Sequence, residues 1–207
     1  MRTLLLALLT LLVGTTPGLA QAEPKRDIHG LTPGLTISDV ITRLKEIGVG
    51  PNLYFATEES DGWEAFCKIH KISPGDVEDF RQIGCISGSG GKGDDFTEVT
   101  CYKERDFYKL DFTRYLAATH LKKVSYNSPS GPKGGEMMKS LRRQYRLGNA
   151  KPDSYGRFNL GDGFIFTGSE HKATSRYEIK IISTHLYSVD AEAGNLEKLR
   201  SNPETGF

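Results

Sequence analysis

The sequence predicts an α+β fold, with a few amphipathic helices set against antiparallel strands and two tandem halves of similar outline. Three observations predict it. Residues 37–47 place Ile37, Val40, Ile41 and Leu44 on one face at helical spacing. Beyond residue 80 the apolar period shortens to two, the alternation of half-buried strands. The order of helix then strands recurs after a Ser-, Pro- and Gly-rich stretch at 128–135.

The chain opens with Met1-Arg2-Thr3 and an uncharged apolar run from Leu4 to Val13. Breakers follow at Gly14, Pro17 and Gly18, then the small-x-small triplet Ala20-Gln21-Ala22. That order is expected of a secretory signal peptide, residues 1–22, cleaved after Ala22. The apolar run is about half the length of roughly 20 residues that a membrane-spanning helix needs. Removing residues 1–22 leaves 185 residues and takes away one arginine and no acid, so 26 basic side chains face 26 acidic ones. A neutral mature chain carries no electrostatic footprint for nucleic acid or for an acidic membrane surface. The expected location is periplasmic or secreted, with no nucleic-acid partner and no stable membrane insertion.

Residues 23–35, rich in Pro, Gly and charge, read as an extended entry segment. Thr36 is placed to cap the first helix, with Asp39 at the positive end of its dipole, and Gly48 ends it. Ser73-Pro74-Gly75-Asp76 reads as the start of a second, short helix running through Phe80. Ile83 and Cys85 then alternate in one strand, and Val99, Cys101 and Lys103 in its partner, with the loop Gly88–Asp95 between them. Tyr108, Leu110 and Phe112 give a third strand, and residues 121–126 a fourth. Residues 23–127 thus form a first α+β half, 128–135 a linker, and 136–207 a second half. The second half has a helix from Glu136 to Tyr145 and strand-like segments at Arg157–Leu160, Phe164–Thr167 and Tyr177–Tyr187. Asp39-Val40-Ile41-x-x-Leu44 parallels Glu136-Met137-Met138-x-x-Leu141, which suggests an internal duplication.

The run Gly30-Leu31-Thr32-Pro33-Gly34-Leu35-Thr36-x-x-Asp39-Val40-x-x-x-Leu44 resembles the opening of the SmpA/OmlA-type domain. That domain occurs in a small outer-membrane-assembly lipoprotein and, in tandem, in the β-lactamase-inhibitor-protein fold. The resemblance implies helices packed on one face of an antiparallel sheet. This chain departs from the lipoprotein in having no lipidated cysteine after the cleavage site.

The cysteines are Cys67, Cys85 and Cys101, an odd number for an exported protein, and one disulfide with one thiol left over is the expected state. Cys85 and Cys101 lie on the two arms of one expected hairpin centred on Gly93, and opposed strand residues come within disulfide reach. They are the expected pair. Cys67 sits among Trp63, Phe66 and Ile69 and reads as a small buried residue.

Motifs of chemistry fail one by one. Gly88-x-Gly90-x-x-Gly93 has the letters of a dinucleotide fingerprint, but Asp94, Asp95 and a strand follow where a helix N-terminus is required. Ser169-x-x-Lys172 and Ser125-x-Asn127 stand in the reverse of the order that serine acyl-transfer families use, and their third element is missing. His29, His70, His120, His171 and His185 form no metal-ligand spacing, and Cys67-x-x-His70 lacks a second pair. No catalytic residue set, cofactor or metal is expected. The function expected is an exported, non-catalytic binding module of the cell envelope whose partner is another envelope or secreted protein. An inhibitor or immunity-type protein against an extracytoplasmic enzyme is the alternative, and a small hydrolase with a concealed site the second. An exposed aromatic patch favours the first two, a pocket holding a histidine with a carboxylate the third. The exported protein is expected to begin at Glu23. N-terminal sequencing of that form checks this, and a start still at Met1 removes both cleavage and location.

Overall fold

The computed structural model describes residues 23–50, 62–87, 98–115, 118–129, 135–171 and 176–189. Residues 1–22, expected to be a signal peptide, the glycine-rich loop 88–95 and residues 190–207 lie outside them. Among the described residues no helix is long and apolar enough to cross a membrane.

Helix α1 (Ile37–Glu46) forms as its sequence dictates. Thr36 accepts from the Asp39 amide, and Asp39 reaches back to the Thr36 amide, a reciprocal capping box. Val40, Ile41 and Leu44 are buried, whereas Ile37 is half-buried. Helix α2 (Gly62–His70) is one that the sequence reading passed over. A 3-10 turn at Pro74–Val77 leads into α3 (Glu78–Gln82), so the short second helix is split between two geometries. Ile83 closes α3 and is not in a strand. The first strand, β1, is only Ile86–Ser87.

The remaining strands are β2 (Glu98–Lys103), β3 (Asp106–Tyr115), β4 (Ala118–Ser128), β5 (Phe158–Gly161), β6 (Phe164–His171) and β7 (Arg176–Ser183). Helix α4 (Gly135–Gln144) stands between β4 and β5. All seven strands join one antiparallel sheet in the order β1-β2-β3-β4-β7-β6-β5. The last segment was expected to stay extended to Tyr187, but residues 184–189 turn helical. Strands from both sides of 128–135 therefore lie in the same sheet, meeting where β4 pairs β7.

Register explains the core. Val99, Leu110, Val124, Ile181, Phe166 and Phe158 face one another in turn across six strands, and each is at most 1% exposed. Helix residues meet this row and its neighbours. Phe66 of α2 and Phe80 of α3 lie 5.8 and 5.9 Å from Phe112, and Tyr145, just past α4, lies 4.5 Å from Phe166. Gly168 is required where it stands, because a Cβ there would come within 2.5 Å of Leu141 on α4.

The entry segment is a strap between the two ends of the sheet. Its Lys25 amide donates to the Tyr145 carbonyl, and Arg26 pairs with Asp162 at 2.7 Å. Ile28 and Leu31 exchange backbone hydrogen bonds and are fully buried. Gly30 has φ +85°, and a Cβ on it would overlap the Arg43 guanidinium, whose Nε donates to the His29 carbonyl at 2.8 Å.

Leu44 is fully buried. Leu44→Ala is expected to cost about 2–5 kcal/mol, from lost transfer energy plus the cavity it leaves. Denaturant unfolding measures this, and a change within the ±0.5 kcal/mol usual for surface sites would place that face of α1 in solvent.

Candidate functional site

Among the described large hydrophobic side chains Tyr155 is the most exposed, at 79%, followed by Tyr187 at 37%. The chain leading to Tyr155 is pinned. Arg142, in the last turn of α4, donates to the Gly148 and Ala150 carbonyls at 3.0 Å each, and its guanidinium lies 5.2 Å from the ring centre of Phe158 on β5. One cation thus ties helix, loop and edge strand together. Asp153 then organises the turn. Its Oδ1 accepts from the Tyr155 and Arg157 amides at 2.9 Å each, and its Oδ2 from Arg157 Nε at 2.7 Å. The Asp153 amide donates to the Arg157 carbonyl at 2.9 Å. These bonds, the Arg157 amide first, hold the Asp153 carboxyl below its ordinary value. Gly156 completes the turn at φ +75°, a conformation that suits glycine. The Arg157 guanidinium lies 4.8 Å from the centre of the Tyr155 ring. Beside the turn is a cleft of about 370 Å³ whose lining includes Lys151, Asp153, Arg157, Asn159 and Phe164.

A second constellation lies under the strap. His29 adopts φ +53° and sets its Nδ1 2.7 Å from the Tyr108 hydroxyl, with its ring edge-on to Tyr108 and Tyr126. Tyr126 donates to Asp106 at 2.5 Å. Burial drives the phenols of Tyr108 and Tyr126 well above their ordinary values, with Asp106 adding to the shift. Burial first, then Lys25 and Lys103, lowers the His29 imidazole against the opposing pull of Asp106 and Asp27. These groups are satisfied by one another and held in their neutral forms.

A third cluster forms at a β-bulge. Asp111 faces Lys123, but Phe112 faces Leu121, so Lys122 is the extra residue. Both lysines reach Asp111, Lys122 at 3.4 Å and Lys123 at 3.1 Å, and the Tyr187 hydroxyl adds a contact at 3.3 Å.

The residues singled out in the sequence distribute as follows. Cys85 and Cys101 are joined in a disulfide with a Cα separation of 4.3 Å. The ladder explains it, since Ile86 faces Thr100 and the next position places Cys85 opposite Cys101. Cys67 stays outside the disulfide and is buried, and His70 is buried nearby against Phe66. No group able to hold a metal ion occurs among the described residues. Ser125 and Asn127 are buried on β4, Ser169 is on β6, and Lys172 lies outside the described residues. His185, expected in a strand, is in the helical stretch 184–189 and exposed. Tyr155 and His29 were missed as sites. The Pro-Asp-x-x-Gly pattern at 152–156 was the available signal for a locked turn. No family model matches this chain, and no curated protein or solved structure matches it.

Neutral His29 is favoured in the fold, so stability should be fully present above the unfolded value of 6.5 and lost as pH falls below it. His29→Asn keeps a residue that tolerates positive φ but removes the titration. Melting curves from pH 7 to pH 5 should fall more steeply for the parent than for the variant. Parallel curves would assign the loss to other groups.

Proposed function

We propose that this chain is an exported, non-catalytic binding module that docks another envelope or secreted protein through the Tyr155 turn and the adjoining edge strand β5. The observation that carries the reading is Tyr155 itself, 79% exposed on a turn locked through Asp153. An aromatic held in place before docking loses little conformational freedom on binding, and such residues dominate interface energetics. Among the described residues β5 is the last strand on its side of the sheet, the position at which a partner's strand can add. Export is supported by the first 22 residues and by the Cys85–Cys101 disulfide, which persists in oxidising compartments. The non-catalytic reading is supported by where the reactive groups are used. His29 meets Tyr108, Tyr126 meets Asp106, and Tyr187 meets Asp111.

The tandem organisation is part of the same proposal. Strands β2-β3-β4 and β5-β6-β7 are two meanders, preceded by α1 to α3 and by α4, that meet at their third strands. That arrangement supports two similar halves, and the ring contacts of Phe66, Phe80 and Tyr145 support helices lying on a common face. The inhibitor reading draws on the same exposed turn, whose Tyr155 could enter an enzyme's cleft.

A benzophenone side chain at position 155 of the mature protein tests this in the envelope of the producing cell. A discrete adduct is expected from position 155 and not from position 46 on α1. Tyr155→Ala should weaken the isolated complex about thirtyfold, the loss of about 2 kcal/mol that marks an anchor residue, with the melting temperature unchanged. Equal adducts from both positions, or full affinity in Tyr155→Ala, would remove the turn from the interface.

A further inference from the structure

We infer that the surface docking on Tyr155 is an acidic polypeptide surface, recognised by a short basic strip that runs from the end of α4 into β5. The inference rests on the binding reading above and names the chemistry of its partner. The mature chain is balanced in charge, but residues 136–157 hold six basic side chains and two acidic ones. Both acids are used locally. Glu136 pairs with Lys139 at 2.9 Å, and Asp153 with Arg157 at 2.7 Å. Arg142 is turned onto the Gly148 and Ala150 carbonyls. Arg143, Arg146 and Lys151 remain, all exposed and with no ion pair among the described residues. Arg142 binds the loop to α4 and lies over Phe158, so the helix end that carries Arg143 and the loop that carries Arg146, Lys151 and Tyr155 are held to one another.

The cleft beside the turn adds direction. Lys151 and Arg157 both line it, Asp153 is its acid and is already bonded to Arg157, and Phe164 gives it an apolar wall. A volume of about 370 Å³ suits one or two side chains of a partner, such as a glutamate and a neighbouring apolar residue. It does not suit a phosphodiester track, which needs an extended row of cations with aromatic stacking platforms. The elsewhere abundant lysines of the sheet do not compete for this role, since Lys109, Lys123 and Lys180 are each paired with Glu98, Asp111 or Glu178.

Charges at an interface rim act mainly on encounter, and a buried aromatic anchor on lifetime. The two contributions can therefore be separated kinetically. The probe is a surface-immobilised random copolymer of glutamate and tyrosine, read by surface plasmon resonance with the mature protein. Binding is expected at about 50 mM salt and should weaken at least tenfold by about 500 mM, as screening shortens the reach of the strip. The triple variant Arg143→Glu, Arg146→Glu, Lys151→Glu should associate at least tenfold more slowly with little change in dissociation. Tyr155→Ala should dissociate faster with association nearly unchanged. Lys151→Gln alone, a milder change, should slow association about twofold and guards against misfolding of the triple variant, as does its circular dichroism. Copolymer binding that the triple variant retains would overturn the inference. So would tighter retention on vesicles of phosphatidylglycerol and phosphatidylcholine than on the copolymer, or no binding to either. The photo-adduct from position 155 separates the two levels. An adduct that persists unchanged in the triple variant removes the acidic partner and leaves the binding module. Its absence in the parent protein removes the module itself.

Discussion

Six ladder pairs, from Lys123 facing Ile182 to Ser128 facing Tyr177, hold both meanders in one sheet. Without them each half would present an open strand edge and half a core. The buried row from Val99 to Phe158 crosses the seam at Val124 and Ile181, both fully buried. The helices, the strap and the sites all depend on this row. Phe166 meets Tyr145 and Gly168 meets Leu141 of α4 on one side of it, and Phe112 meets α2 and α3 on the other. The strap spans both sides, from Arg43 and His29 to Tyr145 and Asp162.

Local chemistry was legible and long-range chemistry was not. Thr36, Asp39 and the spacing of Val40, Ile41 and Leu44 specify α1 within a few residues, and the structure returns it. The Cys85–Cys101 pair could be read because a hairpin's register is a local property, and the ladder keeps that register. Helix α2 escaped because it begins at Gly62 and carries Trp63, Phe66 and Cys67, residues with no strong helical preference whose burial decides the outcome. The extended reading through Tyr187 failed because Ile179 and Ile181 alternate with Lys180 and Ile182 as in any strand, and nothing in those residues announces the helical stretch from Thr184. That β4 should pair with β7 across some fifty residues has no local signature at all. His29 was invisible for the same reason. Its partners Tyr108 and Tyr126 are near it only once the sheet exists.

Polar groups inside the fold show how a small protein keeps buried charge and hydroxyl tolerable. The bulge at Lys122 gives Asp111 two cations where a regular strand would offer one. Under the strap, the His29 imidazole meets the Tyr108 hydroxyl and the Tyr126 hydroxyl meets the Asp106 carboxylate. A buried polar group left alone costs more than a satisfied one gains, so these clusters specify the fold more than they strengthen it. The turn at Asp153 uses the same bonds on the outside. There the result is a displayed side chain, because the carboxylate is spent on the backbone around Tyr155 and not on the ring.

The seam between β4 and β7 also sets the order in which the chain can become native. Strand β7 (Arg176–Ser183) is the last of the described strands in chain order, and it is the innermost strand of its meander. As the chain emerges, residues 98–128 can form a three-stranded hairpin array early, because their contacts are local. The central edge of β4 and the underside of the strap must wait until residues 176–183 arrive. A sheet completed at its middle by the last of its described strands cannot close until both meanders are present.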